Sequence, residues 1–355
     1  MNEKENSDDL SRSKLKWDFC PICGTKIPQI DNIQYCIKCG VDLQYINSHQ
    51  RMPPRKNQTS SQIYSHGYPK PTKKRLNEED LLNLKDRKLW GAGASLGITA
   101  AAFFAMNLIA VAAVIIFMFF SRSFEDVSNL IADPYFIIFS SFIELVLIIV
   151  PLLYVGKHLE RPGIKNRLII LGFTTKGYSK IQLVKEIFIG LGFAVVGVLL
   201  VFFVSFIMEI LLSAIFGINL VSDIGGSSDE LLIASSDILS LILLVIIMIA
   251  IIGTSEEVLF RGFLQKGLIR NLGKTWGILL TALIFTSIHI IGGFLLPPLE
   301  LVIYLLLNFF PFFAISLLLG FLYDWRKENL ISVMITHGVY NAITIILAFL
   351  VFNLF

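Results

Sequence analysis

Charge is what this chain has least of: 16% of its 355 residues are charged against 55% hydrophobic, and 29 are phenylalanine. A soluble domain of this size would struggle to stay in solution with that balance, so the bulk of the chain belongs in lipid. The formal net charge is only +3, and the basic residues fall in loops rather than in one patch, which argues against a nucleic-acid partner. Cysteine is absent after Cys39. The first ninety residues lack an apolar h-region and a small-residue cleavage site, so the N-terminus is expected to stay in the cytosol. No G-x-S-x-G stands at an apolar stretch, and no H-E-x-x-H occurs. Both gaps weigh against the commonest serine and zincin hydrolase motifs.

What is present divides at Trp90. Before it lie Lys, Asn, Gln, Ser and Pro; after it nearly everything is Leu, Ile, Val, Phe and Ala. Within the polar part, Cys20, Cys23, Cys36 and Cys39 form two C-x2-C pairs separated by twelve residues. Each pair can close a tight knuckle, with Gly24 and Gly40 just behind, and two knuckles supply the four sulfurs of a tetrahedral zinc site. Residues 16–43 thereby resemble short zinc-ribbon modules, in which the metal supplies folding free energy that so small a core cannot. A closed four-thiolate shell makes this zinc structural. A redox pair or disulfide clip is the rival, which a cytosolic location disfavours. Residues 44–75 read as a flexible linker, with Lys70, Lys73, Lys74 and Arg75 able to touch anionic headgroups or simply to fix orientation. Residues 76–90 are expected to form a juxtamembrane helix capped by Asn77.

From 91 to 355 the sequence predicts an all-α transmembrane bundle. A bilayer core needs about 20 apolar residues per helix, and seven stretches qualify: 93–120, 135–155, 188–217, 238–265, 276–296, 301–323 and 330–353. The long first and third leave room for an eighth or a re-entrant segment. Lys157, Arg161, Lys165, Arg167, Lys176, Lys180 and Lys185, then Lys266, Arg270 and Lys274, then Arg326 and Lys327 fall in alternate loops, which places those loops in the cytosol and the C-terminus outside.

Ionisable side chains inside spans are costly, so each is a functional candidate. They gather in three late stretches: Glu256, Glu257 and Arg261; Phe285 and His289; His337 and Asn341. Glu257 and Arg261 are four apart and can neutralise each other on one helix face. Glu256, rotated about 100° from Glu257, is the freer carboxylate. His337 and Asn341 share a face. Counted from the nearest cytosolic basic residue, Glu256, His289 and His337 reach similar depths. A carboxylate with two imidazoles matches the His2Glu inventory of a hydrolytic zinc site and can also activate water by direct base catalysis. A buried packing network or an ion pathway would use the same residue types. Glu144 and Glu209 stand apart from the cluster and read as snorkelling or helix-packing residues, with a role in substrate entry as the alternative.

The ordered set E-E-x-x-x-R, F-x-x-x-H and H-x-x-x-N, read here as Glu256, Glu257 and Arg261, Phe285 and His289, His337 and Asn341, resembles the CAAX protease and bacteriocin-processing (CPBP, or Abi) family of intramembrane endopeptidases. The resemblance covers roughly residues 185–355. It implies a membrane-bound (metallo)endopeptidase in which Glu256 activates water and His289, His337 and Asn341 form the water, metal or oxyanion site. It implies as substrate a protein or peptide with a hydrophobic or amphipathic segment. The alternative is a non-enzymatic scaffold or sensor that uses the ribbon to hold a partner the sequence does not identify.

Overall fold

The computed structural model describes residues 17–27, 33, 35–36, 38–39, 41–49, 75–77, 80–82, 89–120, 133–175, 177–217 and 237–354. It divides into two compact units, residues 1–73 and 74–355.

The first unit is built on a repeated knuckle. Antiparallel bridges join Phe19 to Lys26 and Tyr35 to Asp42, each pair seven apart. Inside each knuckle the first cysteine's amide donates to a carbonyl five residues on, Cys20 to Thr25 at 2.8 Å and Cys36 to Val41 at 2.9 Å. Gly24 takes φ +67°, a left-handed turn that costs a residue with a Cβ. Cys20, Ile27, Cys36 and Leu43 form the small core. The expected linker starts too early at residue 44, because Leu43–His49 forms a helix (α1). Asp42 caps it by accepting from the Tyr45 amide at 2.8 Å, and Leu43 and Ile46 are buried. Residues 50–74, the rest of that linker, lie outside the described residues.

The second unit is all-helical among the described residues. Its helices are α2 (Ala92–Phe120), α3 (Pro134–His158), α4 (Ile164–Leu171), α5 (Lys180–Phe216), α6 (Ile238–Leu272), α7 (Lys274–His289), α8 (Pro298–Trp325) and α9 (Ile331–Leu354). Six of them, α2, α3, α5, α6, α8 and α9, are long and apolar enough to cross a membrane, which makes this a multi-pass membrane protein. Large apolar side chains along α2 and α5 face outward, among them Phe104, Phe119, Phe188 and Phe202, as lipid-facing positions should.

Three expectations change. The first and third stretches each form one unbroken helix, of 29 and 37 residues, which leaves no eighth span in them. The fifth stretch, 276–296, is not a full membrane helix: α7 has 16 residues, ends at His289 and passes into a 3₁₀ turn over Ile291–Leu295. At 1.5 Å per residue it rises about 24 Å, short of a hydrocarbon core of about 30 Å. Its start is pinned by the Lys274–Asp324 ion pair (2.5 Å), and His289 reaches only the level of Phe312. Residues 290–297 continue without α-helix, with Gly293 packed so closely on Tyr304 that a Cβ would lie 2.3 Å from the ring. Finally, the fourth span runs on to Leu272. Lys266 and Arg270 are therefore helical rather than loop charges: buried Lys266 donates to the Ile170 carbonyl (2.9 Å), and Arg270 grips Glu328 through two bonds (2.9 and 2.8 Å).

One end of this unit collects these ties. Glu186 on α5 pairs with Arg326, the Trp90 ring nitrogen donates to the Phe263 carbonyl, and Leu76 bridges to Leu159. At the expected juxtamembrane helix the described residues show a 3₁₀ turn, Asp80–Leu82. Asn77 and Asp80 cap each other reciprocally there; residues 83–88 lie outside the described residues. At the opposite end the Tyr135 hydroxyl donates to Asp237 (2.9 Å). The Ser240 amide first, and then that Tyr135 bond, hold the Asp237 carboxyl below its usual range, and Asp237 caps α6.

Candidate active site

The site is carried by a helix that departs from α geometry twice. Within α6, Met248–Ile252 and Val258–Gln265 are wound as π-helix, flanking the short α segment Gly253–Glu257. Such wide turns recur at functional sites because they re-aim side chains without ending the helix. Here consecutive glutamates meet different surroundings. Glu257 is fully buried, whereas the Glu256 side chain keeps 12% exposure.

Glu257 sits at the centre of a buried clamp. One of its oxygens, Oε1, accepts from Arg261 Nη1 at 2.7 Å and lies 2.8 Å from His337 Nδ1. Arg261 is completely buried, stands over the Phe285 ring at 4.9 Å, and donates to the Ser316 hydroxyl and carbonyl of α8 (2.8 and 3.1 Å). With the Glu257 oxygen as its acceptor, His337 Nδ1 carries the proton of that bond, and Nε2 is turned toward the cavity. His289 is prepared in the same way: its Nδ1 lies 2.8 Å from the Phe285 carbonyl, which can only accept. The ring is held between Phe285 and Phe312.

Both free Nε2 atoms face Glu256. His289 Nε2 is 3.8 Å from Oε1 and His337 Nε2 is 3.7 Å from Oε2. These gaps are too long for direct hydrogen bonds, and Oε2 is buried with no hydrogen-bond partner. The three groups line a cavity of about 510 Å³ together with Phe285, Asn341, Tyr340, Thr344, Glu144 and an apolar wall that includes Met248, Ile252, Phe312 and Ile315. Asn341 stands one turn beyond His337 on α9.

The structure thus brings Glu256, His289, His337 and Asn341 onto one cavity and sets Glu257 and Arg261 behind it. Sequence reasoning did not foresee two contributions. Glu144, expected to snorkel or pack between helices, with substrate entry as the alternative, lines the same cavity from α3; Glu209 by contrast is exposed on α5. The second is a pair of glycines. A Cβ on Gly253 would lie 2.7 Å from the Gly338 nitrogen, and one on Gly338 would lie 2.7 Å from the Ile249 Cα. Backbone contact between α6 and α9 is possible only because both positions lack a side chain, and it is this crossing that seats His337 against Glu257. The signal was legible, since each glycine stands next to a motif.

In the first unit the four cysteine sulfurs lie within 4.8 Å of one another, the one such group among the described residues. Sγ of Cys20 is 3.6 Å from that of Cys39, and Sγ of Cys23 is 3.6 Å from that of Cys36. Tetrahedral zinc–sulfur bonds of about 2.3 Å require sulfur separations of this size, and the cluster can hold such an ion.

Residues 238–343 match the family described as Type II CAAX prenyl endopeptidase Rce1-like. The match takes in every motif residue from Glu256 to Asn341, so the chain carries a domain of this CAAX endopeptidase family, one of intramembrane proteases. Comparison with curated proteins found no match, and comparison with solved structures found none either.

Proposed function

We propose that this Rce1-like domain hydrolyses a peptide bond in a membrane-associated protein or peptide, using a water held between Glu256 and the two imidazoles. The observation that carries the reading is the convergence of two imidazole Nε2 atoms on the Glu256 carboxylate, whose Oε2 is buried without a hydrogen-bond partner, at the wall of one cavity. The gaps of 3.7 and 3.8 Å leave room for a bridging water.

Glu256 takes the proton as that water attacks the scissile carbonyl, and returns it to the leaving nitrogen. His289 and His337 orient the water through Nε2, each fixed by its Nδ1 bond. Asn341 offers a neutral donor to the developing oxyanion, a role suited to a low-dielectric site. Glu257 and Arg261 position His337 and touch no substrate. Each imidazole has an oxygen acceptor at Nδ1, the usual support for metal-binding histidine, but the ligand atoms of these three groups are not gathered within 4.8 Å of one another as the cysteine sulfurs are, so a zinc ion would require them to close in. Glu256, His289 and His337 would hold such an ion, which when bound would acidify water and polarise the carbonyl.

The same reading places the tied end of the second unit, with its basic residues, in the cytosol and the C-terminus outside the cell membrane. Six full helices and the broken fifth crossing make seven passes, which agrees with that orientation. Zinc in the ribbon is structural.

The test is cleavage of a pooled set of hydrophobic peptides by detergent-purified protein, with and without a chelator. Loss of all cleavage in His289→Ala and His337→Ala, both still folded, is the expected result. Chelator-sensitive cleavage would assign a metal to Glu256, His289 and His337. Full cleavage by both variants would refute the mechanism.

A further inference from the structure

Glu144 is the one cavity residue that the proposed hydrolysis leaves unused although it carries a charge-bearing group. It projects from a stretch of α3, Ser141–Leu145, that is wound as a 3₁₀ helix and packs on the π-helical stretch Met248–Ile252 of α6. Both helices therefore leave α geometry where they meet beside the cavity. Its Oε2 is buried and accepts no hydrogen bond, and no ion pair to it occurs among the described residues. No lysine or arginine lines the cavity. Met248 and Ile252, about two turns and one turn before Glu256 on α6, line the cavity with Glu144.

A buried carboxyl oxygen without a donor is costly. Glu257 nearby has Arg261 and His337, and Glu186 has Arg326; Glu144 has nothing of the kind. A donor on whatever occupies the cavity would satisfy it. The strongest complement to a carboxylate in apolar surroundings is a cationic N–H group, because such hydrogen bonds are charge-assisted.

We infer that Glu144 is a specificity residue that selects substrates carrying a lysine or arginine close to the scissile bond, an inference that rests on the peptidase reading. Spacing sets how close. Met248–Ile252 lies one to two helical turns from Glu256, roughly 6–12 Å at 1.5 Å per residue. An extended peptide advances about 3.3 Å per residue, so the cation belongs two or three residues from the cleaved bond.

Two arms test this on the intact protein. In the first, a cleaved peptide is remade with a single lysine, or norleucine as its uncharged counterpart, at each position within three residues of the cut. The wild type should cleave the best lysine peptide about tenfold faster in kcat/KM than its norleucine twin. Glu144→Gln should abolish that ratio while still cleaving the norleucine peptide, and Glu144→Lys should favour a glutamate peptide instead. In the second arm, Glu256→Gln protein is titrated with the same peptides, labelled with a fluorophore, and binding is read by anisotropy. Tighter binding of the lysine peptide by about tenfold, lost when Glu144→Gln is added, supports the inference even if nothing is ever cleaved. Cleavage without any lysine preference, a preference that survives in Glu144→Gln, or an equal fall on every peptide in that variant would overturn it and leave the peptidase reading standing.

Discussion

Glu256 and Glu257 are adjacent in sequence and opposite in circumstance. The first faces a cavity and two imidazoles across gaps of a water's size; the second is sealed by Arg261, Ser316 and His337. Their substitution should separate accordingly. Glu256→Gln removes the base, and cleavage should fall by about 10²–10⁴-fold, the range that general-base catalysis supplies. Glu257→Gln keeps shape but weakens the acceptor that fixes the His337 proton, and it leaves the Arg261 charge buried without its partner. It should cost about 10–100-fold in kcat, with KM nearly unchanged and with a lower unfolding temperature that Glu256→Gln does not show. Steady-state kinetics paired with a thermal melt in detergent distinguishes the two. At this scale the sequence was informative because charge in a span has few reasons to exist, and the spacing of Glu257 to Arg261 and of His337 to Asn341 placed each pair on one face. It singled out Glu144 as a charge in a span but did not join it to the cluster. A lone carboxylate on a distant helix acquires meaning only once a 3₁₀ stretch turns it into the cavity, and nothing in the run SSFIELV signals that rewinding.

Helix α7 shows what apolar length alone conveys. Residues 276–296 are hydrophobic enough for a full span, yet the helix stops at His289, where Gly292 and Gly293 follow and the chain rises past Tyr304 without α-helical bonds. Apolar composition predicted a full helix here, and the structure has a helix too short to be one of its six candidate spans. The helix end puts His289 at cavity depth, its imidazole bonded to the carbonyl one turn back. The α6–α9 crossing has a similar logic. Gly253 and Gly338 let two backbones touch, and Gly338→Leu would drive four carbons into the Ile249 backbone. Overpacking of this kind costs about 1–3 kcal/mol, and it should separate His337 from Glu257. The variant should lose at least about tenfold in cleavage and melt earlier, whereas Gly292→Ala, at a position where a Cβ meets nothing within 4 Å, should change neither. A Gly338→Leu protein with wild-type cleavage would show that the crossing does not set the site.

Across the whole molecule, the all-helical bundle, its late-helix site and the cysteine cluster were visible in composition and spacing, because lipid forces polarity to declare itself. The way the helix ends are fastened was not visible. Lys266 and Arg270 looked like loop charges, and with Glu328 they form a buried ion cluster that joins α6 to the α8–α9 turn. For Glu328, burial alone would raise the carboxyl, but Lys266 and Arg270 more than offset this and hold it below its ordinary value. A lowered carboxyl stabilises the fold above the unfolded-state pKa of about 4.3 and loses that contribution as pH falls through the folded value. Thermal stability should therefore be flat near neutrality and decline in acid, with a shallower decline in Glu328→Gln, which starts lower; melting curves against pH in one detergent measure it. In the other unit, Cys36→Ser should reduce bound zinc, measured by elemental analysis, and unfold the ribbon, because a core of Cys20, Ile27, Cys36 and Leu43 is too small to hold without metal.

The central claim is that Glu256 activates the water that cuts the peptide bond. Its most direct test is single-turnover cleavage of one identified peptide in ¹⁸O-labelled water by wild type and Glu256→Gln, read by mass spectrometry. The account predicts one heavy oxygen in the new carboxyl terminus with the wild type, and a cleavage rate about 10²–10⁴-fold lower with Glu256→Gln at unchanged peptide binding. Cleavage by Glu256→Gln at the wild-type rate would contradict it.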